Sequence, residues 1–308
     1  MKHYKKIDNI FKYTTFLGVI TVIVIVLGIF ISLLSESHLA ISKFGFIKFL
    51  TTTEWDPVKE NFGALTMISG TIVTSVLALL MAIPIAVGIA IFIVELCPPW
   101  LKTSIGTIVE LLASIPSIIY GMWGLFTLAP IMSNRIEPFI QNSLGKIPLL
   151  SYMFRGTPLG IDIFTASVVL SIMIIPFIAS ITRDTLNLTP RVLKESAYGI
   201  GATQWEVIKD VMLPHSKHGI YGSIVIALGR ALGETMAVAF VLGNNHKIPH
   251  SFFDAAATIT VTLANEFTEA DSNIYLSSLF FLALILFISS FIILATAKYI
   301  VKKTWYKL

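Results

Sequence analysis

Arg230 and Glu234 stand four residues apart in the middle of an apolar run, 219–243, that carries no other charge. On insertion scales a central Arg or acid costs a membrane helix roughly 2.5–3.5 kcal/mol, so each needs a partner or a task. At i,i+4 the two share one face of a helix, in the order Arg before Glu, which is the weaker orientation for helix support. Gly229 and Gly233 add a small-xxx-small stripe along which another helix can approach closely. Two chemistries fit. One is a neutralised ion pair that glues a bundle together. The other is an anion site: the guanidinium is permanently charged, and its planar fork matches a tetrahedral oxyanion. A carboxylate beside it repels a bare anion but can accept the proton of an oxyanion that still carries one.

The elements that position this pair follow from composition. The chain has 308 residues, 55% of them hydrophobic and only 13% charged, where soluble domains carry about 25% charged residues. Mean hydropathy is +0.82. So little charge excludes a soluble enzyme, a disordered tail and a nucleic-acid binder, whose basic patches need dense Lys and Arg. Membrane lipid is the expected surrounding. A span needs about 20 apolar residues, and the charge-free runs predict six helices, at 14–34, 66–93, 106–132, 162–182, 219–243 and 275–300. Pro84, Pro116, Pro130 and Pro176 are expected to interrupt three of these helices. The first run follows Lys2, Lys5 and Lys6 and reads as a retained anchor, being longer than a signal-peptide core and lacking a cleavage site. Alternate loops hold fourteen Lys and Arg on the N-terminal side, Lys307 included, against seven on the other, which predicts cytoplasmic N- and C-termini. No internal repeat or low-complexity tract is evident. Residues 1–63 read as a cytoplasmic start, an anchor helix and an external loop; 64–300 as the transmembrane domain; 301–308 as a cytoplasmic tail.

The loop between predicted helices four and five is the most patterned stretch outside the membrane. Thr189-Pro190 predicts an N-cap followed by proline at the first helical position, with a short helix running to about Ala197. Gly199 and Gly201 break it, and Thr203-Gln-Trp-Glu206 has capping-box spacing. Trp205, Ile208 and Val211/Met212 predict one apolar stripe, and Leu213-Pro214 a stop. An ordinary amphipathic re-entry segment would also satisfy this pattern.

Three stretches share their wording with a known family. The loop Glu195-Ser-Ala-Tyr-Gly-Ile-Gly201 through Val211-Met-Leu-Pro214 resembles the docking loop of bacterial ABC-importer permeases. Glu195, Ala197, Gly201, Leu213 and Pro214 fall at that family's spacing, while Ser196 and Val211 depart mildly from its alanine and isoleucine. Ala227-Leu-Gly-Arg-Ala-Leu-Gly-Glu-Thr-Met-Ala-Val238 and its continuation to Asn244 are similar to the signature of phosphate-importer permeases, and Met236-Ala-Val to the C-type subunit rather than the A-type. Ala113-Ser-Ile-Pro through Ala129-Pro130 is similar to a segment of the same subunit. The resemblance implies an all-α, type I ABC importer permease fold with a cytoplasmic coupling loop at 189–214, and inorganic phosphate as substrate. It also implies partners: an A-type permease, two ATPase subunits that receive the loop at Glu195 and Gly201, and an external phosphate-binding protein. Arg230 and Glu234 become substrate-pathway residues, the carboxylate favouring hydrogen phosphate over sulfate, which has no proton to offer.

Other chemistries find little purchase. Gly145-Lys146 is followed by Ile147 without a phosphate-cradling glycine loop, so ATP and Mg²⁺ are expected on the partner ATPase and no cofactor or catalytic residue in this chain. Cys97 is the single cysteine, which excludes an internal disulfide, and His215 and His218 read as solvated rather than as metal ligands. Glu110 reads as an interfacial or bundle-facing carboxylate. The competing functions are a permease of the same fold for sulfate or molybdate, and an ion-coupled secondary transporter. The second predicts inverted repeats and no docking loop.

Overall fold

The computed structural model describes residues 2–147 and 151–305. Residues 306–308 of the expected tail, Lys307 among them, and 148–150 of an external loop lie outside the described residues, as do the side chains of Lys2, Lys5, Lys6 and Lys303.

Among the described residues, four helices are long and apolar enough to span a bilayer. The first is α1 (Lys2–Glu36). Two short helices, α2 (His38–Phe44) and α3 (Phe46–Thr51), and a hairpin of β1 (Trp55–Asp56) and β2 (Asn61–Phe62) lead to the second, α4 (Leu65–Ile91). A π-helical turn, Phe92–Leu96, extends α4 until Cys97 turns extended ahead of Pro98. The third spanning helix is α7 (Ile163–Asn187), and the fourth is α12 (Asn273–Trp305). Between α4 and α7, α5 (Pro99–Ala113) and α6 (Ser117–Ser143) meet at an 88° bend, and together they count as a fifth, broken span.

The predicted helix at 106–132 is therefore two rods. Pro116 stops the first because it removes a donor and forces Ile115 out of the helical region. Pro84 and Pro176, expected to interrupt their helices, lie inside continuous α4 and α7. Pro130 is carried within α6 between two π turns, Gly124–Leu128 and Met132–Ile136. The count of six continuous spans is not reached, since the run at 219–243 also breaks.

That fifth run begins deep in the loop. Helix α8 (Arg191–Gly199) is followed by a long helix, α9, comprising Gln204–Glu206, a π turn at Val207–Met212 and Leu213–Leu232. Pro214, predicted to stop a helix, sits inside α9. The wide turn just before it takes the carbonyl that the proline ring would meet out of the regular α ladder. After α9 come the single turn α10 (Met236–Ala239) and α11 (Ile259–Glu266).

Packing divides into three regions. The central core joins α4, α7 and α9 through residues such as Ala82, Leu170, Ile174, Ile178 and Ala227. Gly70 of α4 permits a close approach: a Cβ there would collide with the Ala257 carbonyl. A second cluster gathers Phe49, Trp55 and Phe62 of the N-terminal segment against Tyr275, Phe281 and Leu282 of α12. A third, with Ala90, Val94, Leu186, Val207 and Met212, lies where α4, α7 and α9 meet the loop. The most apolar stretch of α1 has no buried residue and touches the bundle at its edge, where Phe30 meets Phe287 at 5.9 Å.

Candidate functional site

Arg230 lies in the last turn of α9, where its charge complements the helix dipole. Its guanidinium carbon stands 4.3 Å from the centroid of the Phe177 ring of α7, a cation–π contact. The side chain is half-buried, Nε is buried without a partner, and among the described residues no carboxylate lies within ion-pair distance. The expected shared helix face with Glu234 is not formed. The helix ends at Leu232, with Gly233 as C-cap, so the two residues no longer follow one helical spiral. Glu234 instead serves the next turn: its Oε1 accepts from the Ala237 amide at 3.3 Å, and its carbonyl accepts from Thr260 Oγ1 at 2.8 Å. It is 9% exposed and lines a small enclosed space with Thr71, Thr74, Ser75, Thr258 and Thr260. Thr74 Oγ1 is buried there without a partner. An irregular backbone at membrane depth is tolerated where protein buries it or a cavity receives it. What results is a free guanidinium beside a helix break, with a carboxylate folded beneath.

The loop at 189–214 is a built object. Pro190, not Thr189, occupies the N-cap position of α8, while the Thr189 hydroxyl lies 3.5 Å from Ser216 Oγ. Gly201 adopts φ +93°, a conformation L side chains rarely take, and there the chain turns from α8 into α9. The capping box forms as predicted: the Thr203 side chain accepts from the Glu206 amide, and Glu206 reaches back to the Thr203 N–H. Its two hydrogen bonds from Thr203 hold the Glu206 carboxyl below the usual range. Lys194 Nζ binds Glu95 Oε1 at 2.6 Å, and Gln204 Nε2 donates to the Glu95 carbonyl at 3.2 Å, which pins the loop to the end of α4. Ala197 and Leu213 pack on the third cluster. Glu195, Gly201 and Pro214 are exposed. Of the predicted stripe, Ile208 and Met212 are buried, but Trp205 is 62% exposed, as Ile200 is at 89% and Val192 at 70%. Glu110 is ion-paired to Arg183 at 2.7 Å.

Two polar clusters were not singled out from the sequence. Glu137 of α6 and Asp162, the N-cap of α7, are wholly buried. Asp162 Oδ1 accepts the Thr165 amide at 2.8 Å, and Glu137 accepts from the Gly160 amide and the Thr165 hydroxyl, both at 3.3 Å. An Asp directly before an apolar run is an N-cap signal that marks half of this pair. The other cluster surrounds Glu266, whose Oε2 accepts from Trp55 Nε1 and Tyr275 Oη, each at 2.7 Å, while Oε1 faces His246 Nε2 at 2.9 Å. It joins positions 211 residues apart. Among the described residues no three His, Cys, Asp or Glu gather as metal ligands.

The family described as "binding-protein-dependent transport system inner membrane component" matches residues 68–306. The phosphate transport system permease protein PstC of Mesorhizobium japonicum is 52% identical over 303 residues, covering 98% of this chain and 92% of that protein. PstC of Haemophilus influenzae is 46% identical over 297 residues, covering 96% and 94%. Among solved structures, a bacterial ABC transporter involved in import of the acidic polysaccharide alginate aligns with TM-score 0.63 at 19% identity, over 98% of this chain and 99% of that one. The inward-facing MetNI methionine ABC transporter aligns with TM-score 0.56 at 18% identity, over 81% and 99%. At that identity these two speak for the fold alone, a type I ABC importer permease fold. The chain belongs to the binding-protein-dependent transport system inner membrane components and, within them, to the PstC permease family.

Proposed function

We propose that this chain is one of two permease subunits of an ATP-driven importer that carries inorganic phosphate into the cell. Its relatives' naming as phosphate permeases supports the substrate. The observation that carries the reading is the Arg230 guanidinium, half-buried at the end of an apolar helix yet held by a ring face rather than a carboxylate, so that its fork stays open to an oxyanion. Thr71, Thr74 and Thr260 supply hydroxyls close to the break. Glu234 then acts by holding the break in shape, in place of the direct proton acceptor that a shared helix face would have made it.

The remaining roles follow from placement. The exposed surface around Glu195, Gly201 and Trp205 receives an ATPase subunit, and Ala197, Leu213 and Pro214 hold that surface onto the bundle. An A-type permease, two ATPase subunits carrying ATP and Mg²⁺, and an external phosphate-binding protein complete the importer. Residues 64–300 form the transporting domain, 1–63 its N-terminal addition and 301–308 a tail, with both termini cytoplasmic. Labelled-phosphate uptake in proteoliposomes tests the reading. An Arg230→Ala variant that still assembles is expected to lose at least about 90% of uptake, as for a charge retained in the membrane for function. Near-normal uptake rejects the pathway role.

A further inference from the structure

A cavity of about 470 Å³ opens among Trp55, Asn244, His246, Glu266, Glu269 and Tyr275, on the side that the proposed orientation places outside the cell. Its hydrogen-bonding groups are out of balance. The Trp55 N–H, the Tyr275 hydroxyl and His246 Nε2 all converge on the one buried carboxylate of Glu266. With Nε2 turned to the Glu266 carboxylate, Nδ1 is left for a further partner. That Nδ1 and Asn244 Oδ1 are both buried without a partner. Glu269 adds an exposed carboxylate at the rim. The cavity thus offers acceptors, negative charge and two aromatic walls, with these donors already spent. An oxyanion finds no welcome there, so this is not a second substrate site. A group with several N–H donors and a positive charge satisfies every unmet need at once.

The frame is preset. Asn244 is held at φ +47° beside Gly243, and the Asn245 amide donates to the Ala256 carbonyl. Trp55 and Pro57 come from the N-terminal hairpin, ahead of residues 68–306 that the family shares. We propose that this cavity receives an arginine or lysine side chain of the external phosphate-binding protein when that protein docks. The proposal rests on the importer function proposed above.

The assembled importer in nanodiscs, titrated with its phosphate-loaded binding protein, tests it. Asn244→Gly keeps the positive φ and removes the acceptor, and is expected to weaken binding about tenfold, as for loss of a hydrogen bond to a charged group. Glu269→Gln, at the exposed rim, is expected to weaken it about threefold, an effect that fades at high salt. Asn244→Asp places a charge in the same geometry and is expected to tighten binding. One Arg→Ala or Lys→Ala change on the binding protein should cost at least as much as Asn244→Gly, and Asn244→Gly should add nothing to it in a double-mutant cycle. Affinities of Asn244→Gly and Glu269→Gln within twofold of wild type, or weaker binding by Asn244→Asp, overturn the site while leaving the importer function standing. A wild-type importer that binds no phosphate-binding protein overturns that function, and this docking with it.

Discussion

At the scale of single residues, Arg230 and Glu234 have parted company. Glu234 bonds the Ala237 amide beyond a helix end, so neutralising it should disturb shape more than charge. Glu234→Gln is expected to lower the melting temperature of the purified subunit while leaving the pH profile of phosphate uptake in place; a shifted profile would return the carboxylate to proton chemistry. Glu266 carries the opposite expectation. Burial pushes its carboxyl up, but hydrogen bonds from His246, Tyr275 and Trp55 outweigh that and hold it below its ordinary value of 4.5. The folded protein therefore favours the charged form. Its stabilisation is complete above pH 4.5 and drains away as the pH falls below it. Melting temperature followed by tryptophan fluorescence should drop as the pH falls below 4.5, and Glu266→Gln should flatten that slope. The singular position of Arg230, a charge inside an apolar run, was legible in the sequence because charge is scarce there. The Glu266 cluster was not, because Trp55, His246 and Tyr275 are unremarkable apart and only the packing of the N-terminal hairpin on α12 brings them together.

At the scale of elements, one short turn joins two helices with different tasks. Gly201 has open space around it, so a side chain there meets no neighbour; the cost is the positive φ alone, of order 1–3 kcal/mol. Gly201→Val is expected to lower thermal stability and to release the ATPase subunits during purification. Glu195→Ala, at an exposed position, is expected to release them with no change in stability, which separates a shape from a contact. Sequence reading found these helices through their caps and glycines, and the capping box at Thr203 formed atom for atom. It misplaced two helix ends. Proline at 214 stops an ordinary α-helix, but a π turn next to it absorbs the missing donor, and such turns leave little trace in composition. Gly233, read in the sequence as half of a small-residue stripe within a continuous helix, is instead the C-cap of α9.

At the scale of the whole molecule, the arrangement is a central bundle of α4, α7 and α9, with α1 and α12 beside it. The outer face of α1 meets lipid or a neighbouring subunit, since its most apolar stretch buries nothing within the chain. Tags on both termini are expected to be cleaved by protease in inside-out vesicles and protected in right-side-out ones; the reverse pattern rejects the proposed orientation. Spans at α1, α4, α7 and α12 were visible as runs between charges, whereas the 88° bend between α5 and α6 depends on how two rods pack. Because α9 does not stop at Pro214, it is a single lever. From Trp205, exposed to the cytoplasm in the proposed orientation, to Arg230 it covers roughly 37 Å at 1.5 Å per residue. A tilt of about 5° at one end sweeps the other through about 3 Å, the length of one hydrogen bond. Under the proposed function, a push delivered at the surface loop would arrive at the guanidinium as a stroke of hydrogen-bond length, enough to release an anion held there.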